Sequence, residues 1–298
     1  MSWPERIGQG KGSFLSIQRR ISLATKNAIR AILPDKYLMQ RYVRKQLKKG
    51  EPELRIVPLL CCRSEISIDV GANYGVYSFL FSLHSDHVIA VEPHPRLADR
   101  LKRLLPPSVN VLNIAASNED GVSELHIPTV DGTEIHSRSS LEADVNREMV
   151  NRTVRVEKRR LDRLPLGGRL VAVIKIDVEG HELNALQGLA DILEKSKPTI
   201  IVESEARHHA GAPYDVFDFL ETFGYQAYFV YRGKLWPKSE FSVEKFQAAF
   251  AAKEVFNERS PDYVNNFIFV HPSRRAVLDR VELVYPSAIA QSPIGPAA

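Results

Sequence analysis

Apolar and polar positions along the chain alternate in two periods, and together they predict strands interleaved with helices. Ile66, Ile68 and Val70 alternate up to Gly71, predicting a short strand, and Tyr77, Phe79, Leu80 and Leu83 follow at helical spacing. Val88-Ile89-Ala90-Val91 predicts a second strand that closes on Glu92. A helix through Leu97, Leu101, Leu104 and Leu105 comes next, ended by Pro106-Pro107, and then a third strand over 109–114. Over 121–161 the pattern changes to two alternating strands, 122–127 and 153–161, about a polar loop that contains His136-Ser137-Arg138-Ser139-Ser140. This stretch predicts an inserted hairpin on the substrate side.

The run Val171–Ile176 is almost wholly apolar and β-branched, as in a strand buried on both faces. It leads into Asp177-Val178-Glu179-Gly180-His181-Glu182 and a helix through Leu183, Leu186, Leu189, Ile192 and Leu193. A strand over 199–202 ends in Glu203, a helix covers 214–223, and strands cover 225–231 and 267–270. Strands and helices in alternation predict an α/β domain with a mostly parallel sheet. Ahead of it, residues 13–49 have helical spacing broken at Pro34, with Tyr37, Leu38, Tyr42, Val43 and Leu47 on the apolar side of the second piece. The domain boundaries that follow are a helical extension over 1–53, the α/β domain over 54–272, and a tail over 273–298 that is partly disordered.

Charge is distributed unevenly. The first fifty residues carry 12 Lys and Arg against 2 Asp and Glu, +10 against a whole-chain +4, which leaves −6 for the rest. The extension reads as a basic-faced helical pair packed on the domain edge as a lid. Weak contact with a membrane surface and a grip on nucleic acid are the alternatives. The two cysteines, Cys61 and Cys62, are adjacent and suit neither a mutual disulfide nor a metal site, which points to a reducing, cytoplasmic setting. No apolar run approaches the roughly 18 residues of a membrane span, and no secretion signal opens the chain.

The chemistry concentrates at strand ends. Asp69-x-Gly71-Ala72-Asn73-Tyr74-Gly75 forms a strand–turn–helix junction, where backbone N–H groups can approach a ligand. Dinucleotide sites use G-x-G-x-x-G, so the wider spacing here argues against NAD and for a smaller cationic ligand such as S-adenosyl-L-methionine. Glu92 stands where an acid accepts ribose hydroxyls, and Ser117-Asn118 stand level with an adenine. Asp177 and Glu203 end neighbouring strands and should converge on the acceptor. Asp177 is the first candidate to orient or deprotonate a hydroxyl, and His181 is the alternative base. Lys175, inside an apolar strand, requires a partner, and Glu182 fits the first turn of the following helix. The spacing of these carboxylates with no His-rich or Cys-rich pattern predicts no metal.

These residues together resemble the FkbM-type methyltransferases. The resemblance rests on Asp69-Val-Gly-Ala-Asn73-x-Gly75-x-Tyr77-Ser78, Glu92-Pro93, Lys175-Ile-Asp177-Val-Glu179-Gly180-x-Glu182, Ile201-Val-Glu203 and Asn266-Phe-Ile-Phe. It covers roughly residues 64–271 and leaves the first fifty unexplained. It implies a class I methyltransferase (Rossmann-like) fold, a seven-stranded, mostly parallel sheet whose final strand is antiparallel, with helices on both faces. It also implies S-adenosyl-L-methionine-dependent O-methylation of a small-molecule hydroxyl, on a sugar, glycan or secondary metabolite. The turn residues Asp69, Gly71, Asn73, Tyr74 and Gly75, with Glu92, Ser117 and Asn118, carry over as cofactor contacts. An RNA methyltransferase using the basic arm is the competing reading, without the N/D-P-P-Y run that exocyclic amino groups call for.

Overall fold

The structure, a computed structural model, describes residues 35–131, 133–145, 148–209, 211–248, 260 and 262–288. The helical reading of 13–33 and the end of the tail lie outside them. The described chain opens with α1 (Asp35–Lys49) and a short α2 (Val57–Leu60). The first α/β half is β1 (Ile66–Val70), α3 (Val76–Ser82), β2 (His87–Val91), α4 (Pro95–Leu104) and β3 (Val109–Leu112). β4 (Ala115–Ala116), β5 (Gly121–Val130), β6 (Thr133–Glu134) and β7 (Val150–Arg159) come next. The second half is β8 (Val171–Ile176), α5 (Glu182–Gln187), α6 (Ala190–Ser196), β9 (Thr199–Glu203), α7 (Tyr214–Thr222), β10 (Gln226–Tyr231), β11 (Lys234–Pro237), α8 (Val243–Phe246), β12 (Asn266–Val270) and α9 (Arg275–Val284).

The main sheet has eight strands in the order β11-β10-β12-β9-β8-β1-β2-β3. From β3 through β9 every pairing is parallel; β12 enters antiparallel between β9 and β10. The chain doubles back beside β1, from β3 to β8, which makes the carboxyl ends of these two central strands the crevice where α/β sheets take ligands. The inserted hairpin is present: β5 and β7 pair antiparallel from Gly121–Lys158 to Thr129–Val150, and form a second sheet in the order β4-β7-β5-β6.

Alternation along the strands sorts the core into two layers. Ile68, Ile174, Ile176, Ile200, Val202, Phe267 and Phe269 face one side, where they pack with Leu186, Leu189, Ile192 and Phe217. Val88, Ala90, Val173, Ile201, Ile268 and Val270 face the other, against Met39, Val43, Phe81, Leu101, Leu278 and Val281. The apolar side of α1 is thus a core surface, consistent with the edge-packed helix anticipated for it.

Three features differ from the sequence expectation. β3 ends at Leu112 rather than 114, because Asn113 turns its amide to the Glu92 and Pro93 carbonyls, at 2.9 Å each. An eighth strand, β11, is folded back on β10 by a two-residue turn with Arg232 at φ 49° and Gly233 at φ 72°, the signature of a tight hairpin turn. The segment taken as tail contains α9, which buries Val277, Leu278 and Val281 on the core. Just before α9, Arg274 donates to the carbonyls of Val171, Ser196 and Lys197 and pairs with Glu65 at 2.9 Å. Truncating α9's central contact with Leu278→Ala should cost about 2–5 kcal/mol, read as a lower urea midpoint with an unchanged slope.

Candidate functional site

The Gly71–Gly75 turn is shaped by close approaches. Gly71 has φ +80°, and a Cβ there would lie 1.8 Å from the Asp177 carbonyl oxygen, so the ends of β1 and β8 meet only because position 71 lacks a side chain. Gly75 has φ +79°, and a Cβ would lie 2.6 Å from Leu101 Cδ2. The Gly71 and Ala72 N–H groups donate to Val91 O and tie the turn to β2. Asp69 Oδ2 accepts from the Ser78 N–H at 2.8 Å and the Ser78 hydroxyl at 2.5 Å. These bonds fix the start of α3. Burial pushes the Asp69 pKa up to about 6, against the Ser78 bonds and the Lys175 charge.

Two cavities meet at this turn. The smaller, about 40 Å³, is bordered by Gly71, Asn73, Glu92, Pro93, Ala116, His136, Ser139, Leu141, Asp177 and His181. Glu92 is buried at 4% exposure, with Oε1 accepting from His94 N at 2.8 Å and Oε2 from Asn73 N at 2.7 Å. Burial pushes its pKa up to about 7, against those two bonds. Each oxygen keeps a lone pair for a hydroxyl donor. Asn73 Oδ1 is buried with no hydrogen-bond partner, so it too asks for a ligand donor. An adenosine's ribose hydroxyls supply such donors, and the residues fit the group.

The larger cavity, about 710 Å³, is bordered by Tyr42, Glu51, Asp69, Tyr74, Tyr77, Lys175, Asp177, Tyr263 and Asn266. Lys175 is 1% exposed and donates to Asn266 Oδ1 and Ile176 O, at 3.1 Å each, with Asp177 Oδ2 at 4.0 Å. Burial favours loss of its proton, but the carboxylates of Asp177, Glu51, Glu203 and Asp69 outweigh that and hold the ammonium above its ordinary value. The partner that a lysine in this strand requires is thus a polar group on β12 together with the surrounding acids.

The structure places the other expected residues differently. Asp177 borders both cavities. Glu203 ends the neighbouring strand as expected but borders neither, because its carboxylate takes the Asn265 amide at 2.6 Å. His181 lies on the small-cavity side with both ring nitrogens engaged, Nδ1 to Glu142 Oε1 at 2.6 Å and Nε2 to Ser117 Oγ at 3.1 Å. Ser117 and Asn118 border neither cavity; Asn118 donates to Asn184 and Gln187. Glu182 accepts from Gly180 N at 2.8 Å, closing the entry to α5. Tyr74 forms part of the outer lip, its ring under the Arg100 guanidinium at 5.0 Å. Glu51, Tyr77 and Tyr263 are lining residues that sequence reasoning did not select; only Tyr77 had a signal, its place inside the turn motif.

Among the described residues, two groups of histidines and carboxylates stand close enough for an ion, His94–Glu134–His136 and Glu179–Glu205–His208. In the first, His94 Nδ1 accepts from Arg96 N at 3.2 Å, so Nε2 keeps the proton and cannot ligate as neutral imidazole. In the second, Arg207 already binds both oxygens of Glu205 and holds that carboxyl well below its usual range, despite burial.

This strand order, with a buried acid after β2 and a glycine turn after β1, is that of the class I methyltransferase fold. The model of the Methyltransferase FkbM domain matches residues 69–227, and the chain belongs to that family. That family is one of methyltransferases. The hexuronic acid methyltransferase AglP of Haloferax volcanii is 30% identical over 156 residues, 51% of this chain and 59% of that protein. The chain thus matches little more than half the length of this curated relative. Among solved structures, the methyltransferase FkbM of Methylobacillus flagellatus KT overlays at TM-score 0.43 with 15% identity, covering 69% of this chain and 43% of that one. A putative methyltransferase of Streptococcus mutans in complex with SAH overlays at 0.37 with 9% identity, covering 73% and 95%.

The raised pKa of Glu92 has a measurable consequence. The folded state holds this proton more tightly than the unfolded chain, so the stabilisation is complete below pH 4.5 and lost as pH rises to about 7. The loss is on the order of 3 kcal/mol for the ligand-free protein. Urea midpoints across that range should fall, and Glu92→Gln should flatten the slope. Cofactor binding near neutral pH should release protons, read as a calorimetric enthalpy that changes with the buffer's ionisation heat.

Proposed function

We propose that the protein transfers the methyl group of S-adenosyl-L-methionine to a hydroxyl oxygen of a sugar, glycan or related small molecule. The observation that carries this reading is the position of Asp177, which stands at the end of β8 and borders both the small recess beside Glu92 and the large cavity. The cofactor supplies a methyl on a sulfonium; the protein must align an acceptor oxygen and remove its proton. In the proposal Asp177 receives that proton. The Lys175 ammonium, 4.0 Å from it, faces the negative charge that develops on the oxygen. Tyr42, Tyr77 and Tyr263 give the large cavity flat apolar faces with hydroxyl tips, which suits a polyhydroxylated ring. The hexuronic acid methyltransferase among the relatives supports a sugar acceptor. Cys61 and Cys62 are free thiols, which suits the cytoplasm as the setting.

His181 is the less favoured base, because its nitrogens are held by Glu142 and Ser117. Asp177→Asn should lower turnover about 10²–10⁴-fold, measured as S-adenosylhomocysteine released with a panel of hexuronic acids and their glycosides. Its cofactor affinity by calorimetry should change little. A large loss in His181→Ala with Asp177→Asn nearly active would move the role to His181, and binding of NAD in place of S-adenosyl-L-methionine would overturn the reading.

A further inference from the structure

Helix α1 turns Met39 and Val43 into the core and presents Arg41, Arg44, Lys45, Lys48 and Lys49 to solvent. Among the described residues no carboxylate comes within ion-pair reach of these five. Elsewhere Lys158 pairs with Glu119, Arg163 with Asp120 and Arg275 with Asp279. α4 packs beside α1 and extends the positive face with Arg100, Arg103 and Lys102, the last 3.8 Å from Asp99. The two helices are joined at the rim of the large cavity. The Tyr42 ring meets Tyr74 edge-on at 6.0 Å, the Arg100 guanidinium covers Tyr74, and Lys49 itself borders the cavity.

We infer that this two-helix face docks on an anionic lipid surface and brings the rim of the acceptor cavity to it. The docking is independent of the chemistry proposed above; only the idea that acceptors are met at that surface rests on it. Charge complementarity carries the assignment, since each Lys or Arg held near an anionic leaflet contributes about five-fold in partitioning. Tyr37, 49% exposed, adds a ring suited to the headgroup level. Single-stranded RNA would instead call for rings free to stack on bases, and Tyr42 and Tyr74 are occupied with each other and with Arg100. No described helix is long and apolar enough to cross a membrane, so the contact is peripheral.

The test is sedimentation of the full chain with vesicles of phosphatidylcholine alone and of phosphatidylcholine with phosphatidylglycerol. Binding to the second, weakening with added salt, is the expected result. The triple variant Arg44→Glu, Lys45→Glu, Lys48→Glu should lower partitioning by 100-fold or more, and Arg100→Gln with Arg103→Glu by about ten-fold or more. Cofactor affinity should be unchanged in the α1 variant, which separates a lost surface from a lost fold. Three results overturn the inference: no binding to phosphatidylglycerol vesicles, equal binding to both compositions, or binding untouched by the α1 charges. Retention of bulk RNA, lost in the α1 variant and without vesicle binding, assigns the face to nucleic acid instead.

Discussion

A buried ammonium surrounded by acids is the constraint on which the active end of this molecule depends. Lys175 sits in the central strand of the sheet, where an uncompensated charge costs several kcal/mol. Its charge is kept by carboxylates that come from β1, β8, β9 and the segment after α1, and by an amide from β12. Asp69, Asp177, Glu203 and Glu51 are likewise tolerable at such density only with a cation among them. The cluster therefore couples five segments distant in sequence, and all of its charges except Glu203 border the large cavity. Removing one member leaves the others unbalanced, so single substitutions here act on folding as well as on chemistry.

Much of this was legible in the sequence because it follows from local pattern. The strands of the parallel sheet, their order of appearance and the hairpin over 121–161 follow from period-two alternation and glycine punctuation. The Gly71–Gly75 turn and Glu92 are where strand-end chemistry places them. What alternation cannot encode is the direction of a polar side chain at a strand end. Glu203 and Asp177 end adjacent strands, yet Glu203 is drawn to Asn265 while Asp177 borders both cavities. Ser117 and Asn118 border neither cavity and spend their polar atoms on His181 and α5. These choices depend on partners 60 or more residues away. β11 was missed because a four-residue edge strand with a lone tryptophan has too short a pattern to read, and α9 because its charged residues dominate a weak apolar stripe.

The hairpin sheet borders the small cavity much as α1 borders the large one. Leu125, Leu141 and His136 wall the small cavity, so residues inserted between β4 and β8 complete a recess that the main sheet only begins. Variation in that insertion would reshape the small cavity, while variation in α1 and in the approach to β12 would reshape the large one.

Arg274 gives the sheet two unlike ends. At the edge opposite the cavities, one guanidinium gathers carbonyls from the starts of β8 and β9 and the carboxylate ahead of β1. A planar, five-donor fork holds such a set of acceptors in one geometry, which a lysine could not do. The strands are thus pinned at the end away from the cavities, apart from the acid cluster that ties them at the other. An engineer redrawing the far rim would do well to leave that rivet alone, since it holds its acceptors without help from the acids at the cavity end.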